Sequence, residues 1–242
     1  MISSVNDMIK NYTEMHLHTE ETSVCGTVSA KESIPLYKEY GYDAVIITDH
    51  FNRDYFFDYY YNDQPWEEAV EHWFNGVYTA QKAGEECGLK VLWGMEIRFD
   101  GNCNDYLVYG ITKEDILENP RMWEWGEEKF SKYIKEKGYF FAQAHPFRDR
   151  MIRCNPEFLC GVEVFNAHLY HNSRNDLATE FCLENNLIPI AGSDFHHENT
   201  LRGCGVLFLG EVNTVADVVD MLFSGKYQLV IPGNYKHTKK NK

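Results

Sequence analysis

Two periodicities alternate along this chain, and that alternation limits the fold more than any other feature. Short runs rich in β-branched and aromatic residues, at 12–16, 44–48, 90–99, 106–109, 139–144, 161–165, 188–191 and 206–209, read as strands. Helical stretches lie between them at 30–40, 66–87, 123–137, 174–186 and 215–224. Ser29 and Thr214 stand where helix N-caps belong, and Gly41, Gly88, Gly138 and Gly225 stand where helices should stop. Strands spaced by helices predict parallel βα units, and about seven or eight such units predict an α/β barrel or a distorted barrel. No internal repeat or Pro/Gly/Ser-rich linker breaks the pattern, so residues 1–235 read as a single domain and the basic stretch 236–242 as a frayed tail. The Tyr- and Asp-rich stretch 52–65 reads equally as an active-site rim or as a packed surface loop.

Charge narrows the choice of partner. The 242 residues carry 23 Lys and Arg against 37 Asp and Glu, a formal charge of −14. So acidic a surface repels phosphate backbones, and nucleic acid is not an expected partner. The same acidity, together with 10 His, suits carboxylates neutralised by bound cations. The seven cysteines are scattered without a CxxC pair, which fits a reducing cytosol better than a disulfide scaffold. No stretch reads as a signal peptide or reaches the roughly 18 apolar residues of a membrane span. A cytoplasmic location with no membrane partner is therefore the expectation.

The chemistry lies where the apolar runs stop. The first ends in Met15-His16-Leu17-His18-Thr19, and because strand side chains alternate, His16 and His18 point the same way. Two imidazoles on one face are half of a divalent-metal site, or else two surface histidines on an edge strand. Glu20, Glu21 and Cys25 follow closely enough to add ligands. The run at 44–48 ends abruptly in Asp49 and His50, at the edge where a parallel barrel carries its chemistry. Glu96, inside an apolar run, is costly to bury without a partner; it either bridges two cations or turns outward to pair with Arg98. His145 closes another run just before Pro146, and Asp194 and His196, two apart, share a face beyond 188–191. Barrel closure would gather these ends around one mouth. His72 reads as a helix-surface residue, whereas His168, His171, Glu163 and Asn166 flank a strand end where substrate contacts are open.

Taken in order, HxHT, TDH, an isolated Glu, a strand-end His and SDxH resemble the PHP (polymerase and histidinol phosphatase) superfamily, from His16 to His196. The likeness is greatest to the stand-alone bacterial PHP phosphoesterases. The resemblance implies a distorted (β/α)7 TIM-like barrel with two or three divalent metal ions at its C-terminal mouth. One metal would take His16, His18, Glu96 and Asp194; Glu96 would bridge to a second that also holds His145; a third would take His50 and His196. Asp49 matches the position that orients neighbouring ligands. Two positions depart from the family pattern. In the loop after HxHT, where the family often has His or Asp, stand Glu21, the favoured ligand, and Cys25. After the Glu strand, where another His is usual, Asp105 stands as the substitute.

The implied activity is a phosphoesterase in which a metal-bridging hydroxide attacks a small phosphorylated substrate. Arg148 is the first candidate for binding phosphate, His197 for protonating the leaving group, and Arg53, Arg98 and Arg202 are weaker substrate contacts. A mixed His and carboxylate set suits Zn, Mn or Fe. Two alternatives compete. An amidohydrolase barrel also begins with HxH, but it commonly uses a carbamylated Lys on a middle strand, and no Lys ends a strand in that place here. A non-catalytic, metal-binding regulatory PHP domain is the other, and the presence of nearly all the motif residues argues against it.

Overall fold

The computed structural model describes residues 10–60, 64–198 and 203–233, with the side chains of 58–60 left out. Arg202 and the tail 236–242 lie outside the described residues. Two sheets carry the fold. Strands β1 (Asn11–Leu17), β2 (Ala44–Ile47), β4 (Lys90–Trp93), β10 (Gly205–Phe208) and β11 (Tyr227–Val230) form the first, in the order β11-β10-β1-β2-β4. The second has the order β3-β5-β6-β7-β8-β9, from β3 (His50–Phe51), β5 (Met95–Arg98), β6 (Asp105–Tyr109), β7 (Phe140–Gln143), β8 (Gly161–Asn166) and β9 (Ile188–Gly192). Helices α1 (Ala30–Glu39), α2 (Trp66–Trp73), α3 (Asn75–Cys87), α4 (Lys113–Glu118), α5 (Gly126–Lys137), α6 (Asn175–Glu184) and α7 (Val215–Ser224) join them, with a π-helical turn at Asp54–Tyr60 and 3-10 turns at Met122–Glu124 and Pro156–Phe158.

The pairing is mixed rather than wholly parallel. β1 and β2 run parallel, as do β7, β8 and β9. β6 runs antiparallel to β5, because the connection through 99–104 is too short for a helical crossover, and β7 runs antiparallel to β6 in turn. The run at 90–99 divides at Gly94, where a Cβ would lie 2.4 Å from Val108 O; its two halves join different sheets. A parallel bridge from Leu17 to Phe195 and a hydrogen bond from Glu96 N to Asp49 O (3.1 Å) tie the sheets together. Beneath them one apolar layer draws on both: Met15, Ile46 and Val206 from the first sheet pack with Leu107, Tyr109 and Ile190 from the second, and Val218 and Leu222 of α7 join them.

Local chemistry explains the remaining boundaries. Thr214 opens α7 with a capping box, its backbone N–H donating to Asp217 Oδ2 (2.8 Å). The helical stretch 66–87 breaks after Trp73, whose carbonyl accepts from Thr22 Oγ1 (2.9 Å) instead of continuing the helical ladder, while Gly76 N–H donates to the same hydroxyl (3.1 Å). Within 52–65, Phe56 is buried against Phe51 and Trp123, while Asn52, Asp54 and Tyr55 border a hollow beside His50 and Arg98; the loop is packed on one side and a rim on the other. All seven cysteines are unpaired. Among the described residues, no helix is long and apolar enough to cross a membrane.

Asp115 of α4 is the staple of its region. Its carboxylate accepts from Thr112 N–H (3.0 Å), from the hydroxyls of Tyr133 (2.6 Å) and Tyr139 (2.7 Å), and from Lys137 Nζ (2.8 Å). Burial opposes its ionisation, but Lys137 and the two tyrosines outweigh burial and hold the carboxyl below the usual range. Asp115→Asn is expected to cost about 1–2 kcal/mol in urea unfolding at neutral pH, since solvent near Lys137 screens part of the interaction. A depressed carboxyl stabilises above its unfolded pKa of about 4 and loses that effect as pH falls through the folded value. The gap between wild type and variant should therefore close in acid; a gap unchanged at low pH would refute the assignment.

Candidate metal centre

The two-residue alternation puts His16, in β1, and His18, just past its end, on one side, and the bends after β2 and β9 bring His50, Asp194 and His196 to the same place. The register of β3 against β5 pairs His50 directly with Glu96. His16, His18, Glu96, His145 and Asp194 are all essentially buried. His16 Nε2 lies 3.3 Å from Glu96 Oε1 and 3.5 Å from Asp194 Oδ1; His18 Nε2 lies 3.4 Å from Glu96 Oε2 and 3.5 Å from Asp194 Oδ1. His145 Nε2 is 3.2 Å from Glu96 Oε1, and His50 Nδ1 is 2.8 Å from Glu96 Oε2 without hydrogen-bond alignment.

The outer nitrogens decide what the inner ones can do. His16 Nδ1–H donates to Glu163 Oε1 (2.9 Å). Ser23 Oγ–H donates to Asp49 Oδ1 (2.7 Å), so Ser23 accepts from His18 Nδ1–H (3.1 Å). His196 Nδ1–H donates to the carbonyl of Asp194 (3.0 Å). With each Nδ1 carrying the proton of a neutral ring, each Nε2 turns a lone pair inward. His16 Nε2 and His18 Nε2 then stand only 3.1 Å apart, flanked by two carboxylates. Two facing lone pairs at that distance repel unless positive charge sits between them, so the donor set fits a divalent cation. The electrostatics agree. Burial opposes a charged His16, yet Glu163, Asp194 and Glu96 hold its pKa well above the ordinary histidine value. A proton on His16 Nε2 would bridge the same gap, so a proton and a metal ion would compete for this place.

The other predicted residues fall into distinct positions. Asp49 holds no place in the cluster itself; it accepts from Thr19 N–H, Thr19 Oγ1 and Ser23 Oγ, each at 2.7 Å, and burial pushes its carboxyl up to about 6 against those bonds. Asp105 takes a fork from Arg98 (2.7 and 2.9 Å), set by their direct register, and its Oδ2 lies 3.9 Å from His145 Nε2. Glu21 is not brought to the cluster: its carboxylate accepts from Ala30 N–H (2.9 Å), where the positive end of α1 draws it. Cys25 comes in instead, its thiol 3.1 Å from His196 Nε2. Arg148 Nη2 donates to Asn166 Oδ1 (3.0 Å) and to Asp194 Oδ2. His197, hydrogen-bonded to Thr27 Oγ1 (2.7 Å), stands at the rim, and Arg53 is held away by Asp100 and Glu124. A cavity of about 300 Å³ opens over the cluster, bordered by Arg148, His168, His171 and His197 among others.

Glu163 carries more of the site than its sequence position suggested. Besides His16, its second oxygen accepts from His145 N–H (2.9 Å) and Asn166 Nδ2 (2.9 Å). Glu14 is similar: one buried oxygen accepts backbone N–H groups from Met15, His16 and Ser193, each at 2.9 Å, and burial pushes its carboxyl up to about 7. Both are lone acids inside apolar strands, the same signal that singled out Glu96. Two of the clustered residues also carry backbone strain, with φ of 28° at His145 and 52° at Asp194, where a side chain is disfavoured.

A family model for the PHP domain matches residues 14–180. No curated protein matches the sequence significantly. Solved structures share the fold: a candidate metal-dependent phosphoesterase from Bifidobacterium adolescentis (TM-score 0.50, 16% identity, covering 88% of this chain and 95% of that one) and PsfC from Pseudomonas syringae (TM-score 0.60, 15% identity, 88% of each chain). The lesion-specific endonuclease EndoQ of Pyrococcus furiosus aligns at a TM-score of 0.57 and 12% identity, with 91% of this chain covering 58% of that one.

Proposed function

Because the chain belongs to the PHP domain family, we propose that it is a metal-dependent phosphoesterase acting on a small phosphorylated substrate. The observation that carries the reading is the buried convergence of His16, His18, Glu96 and Asp194, with the two imidazole Nε2 atoms 3.1 Å apart, beside a cavity that Glu96, His145 and Asp194 line. His16, His18, Glu96 and Asp194 would hold one cation, Glu96 with His145 and Asp105 a second, and His50 with His196 a third. Two or three such ions, Zn, Mn or Fe, would supply Lewis acidity and lower the pKa of water in the site to near neutrality. We also read the two sheets as halves of a distorted (β/α)7 barrel, a reading supported by the Leu17–Phe195 bridge.

The chain's own groups have clear tasks in this scheme. Arg148, anchored by Asp194 and Asn166, presents its guanidinium to the equatorial phosphoryl oxygens. His197 at the rim hands a proton to the departing alkoxide. Asp49, through Ser23, keeps His18 in the tautomer that faces inward. A charge of −14 and a cavity of about 300 Å³ favour a small ester over a long polyanion.

Protein loaded separately with Zn, Mn or Fe should hydrolyse an aryl phosphate or a bis-aryl phosphate, lose that activity on chelation, and leave duplex DNA intact. Arg148→Ala should raise KM about tenfold, the loss of one charged hydrogen bond to phosphate. Folded, metal-loaded protein inert toward a broad panel of phosphate esters would favour the regulatory alternative, and cleavage of DNA alone would replace the small substrate with a polymeric one.

A further inference from the structure

His168, in the segment after β8, belongs to none of the ligand sets named above. The residue is 9% exposed and borders the cavity together with Arg148, Asp194 and His196. Tyr170 N–H donates to its Nδ1 (3.2 Å). A nitrogen that accepts a hydrogen bond carries no proton, so the neutral ring holds its proton on Nε2. Among the described residues, His168 hydrogen-bonds through its backbone N–H and through Nδ1, which leaves Nε2–H without a protein partner. The result is a buried side chain whose one unused polar atom is a donor on the cavity wall.

Its anchoring is shared with the arginine. Asn166 Oδ1 accepts from His168 N–H (3.1 Å), from Arg148 Nη2 (3.0 Å) and from Ser173 Oγ (3.1 Å). One amide oxygen therefore fixes both the backbone that carries the imidazole and the guanidinium beside it. Asn166 is itself held in orientation by donating to Glu163 Oε2 (2.9 Å) and Asp194 Oδ2 (3.1 Å).

We propose that His168 binds the phosphoryl group of the substrate, donating Nε2–H to a non-bridging oxygen alongside Arg148, and that it is not a metal ligand. Proximity alone would allow the opposite role, since His168, Asp194 and His196 lie close enough to share an ion. The tautomer opposes it: the lone pair is turned toward Tyr170, and the inward nitrogen bears the proton. An uncharged donor of this kind favours oxyanions without adding to the positive charge of the site. The inference rests on the phosphoester reading and adds the group that would recognise the ester.

The test is calorimetric titration of inorganic phosphate into metal-loaded full-length protein, with metal content measured on the same samples. His168→Ala should weaken phosphate binding about tenfold with unchanged metal content. His168→Gln, whose amide keeps an N–H donor, should recover most of the affinity and guards against a misfolded alanine variant. Unchanged phosphate affinity in both variants overturns the proposal, and so does a lost equivalent of metal. If wild-type metal-loaded protein binds no phosphate at all, the phosphoester reading itself fails, an outcome distinct from either of those.

Discussion

Glu96→Gln is expected to lower metal-dependent phosphoester hydrolysis by about a thousandfold or more, the scale on which losing a key electrostatic group acts. The carboxylate is 1% exposed and stands within 3.4 Å of nitrogens on His16, His18, His50 and His145. Burial alone would push its pKa up, but His16 and His50 pull it well below the ordinary value, so it remains ionised throughout the working range. Glutamine keeps the shape and removes the charge. Four imidazoles then share one fewer anion, and the cations that Glu96 would bridge lose a common ligand. Metal content measured by atomic emission should fall together with turnover, and added metal should raise the melting temperature less than in wild type. Normal metal content with normal turnover would sink the bridging role.

A single methyl group placed outside the cluster should do nearly as much damage. A Cβ at position 76 would lie 2.1 Å from Thr19 Oγ1, 2.6 Å from Asp49 Oδ2 and 2.8 Å from Thr22 Oγ1. Helix propensity alone says that Gly→Ala in a helix such as α3 should stabilise by roughly 0.5–1 kcal/mol. Here the sign should reverse. The methyl must displace Asp49, and Asp49 holds Ser23, which in turn accepts from His18 Nδ1–H and His50 N–H, each at 3.1 Å. Overpacking of this kind costs about 1–3 kcal/mol. Urea unfolding of Gly76→Ala should show that loss, and turnover should drop at least about tenfold as His18 loses its orientation. A variant as stable and active as wild type would mean that the Asp49 network does not position the site.

The strand ends were legible because abrupt stops carry meaning: an apolar run that closes in His50 or His145 cannot be read as packing alone. Helix α7 matched its expected span, since Thr214 and Gly225 mark its ends by local chemistry. The rest depended on contacts far apart in sequence. The break between α2 and α3 comes from Thr22, some fifty residues upstream, and no periodicity within 66–87 reports it. β3 is two residues long, too short to show a period, and the antiparallel turn of β6 follows from loop length rather than composition. Among the site residues, Glu21 was favoured over Cys25 although spacing does not separate them; what separates them is the start of α1, which draws the carboxylate to Ala30 N–H and leaves the thiol facing His196. Glu163 was noted at its strand end, but its role as the partner of His16 was not read, although it carried the signal that picked out Glu96.

The unusual backbone angles at His145 and Asp194 have a practical consequence for anyone engineering this protein. Each costs roughly 1–3 kcal/mol in a residue that bears a side chain, a cost glycine largely escapes. A library screened only for heat tolerance would thus be drawn to glycine at those two positions. Any sturdier molecule found that way would have discarded side chains that the proposed metal centre uses.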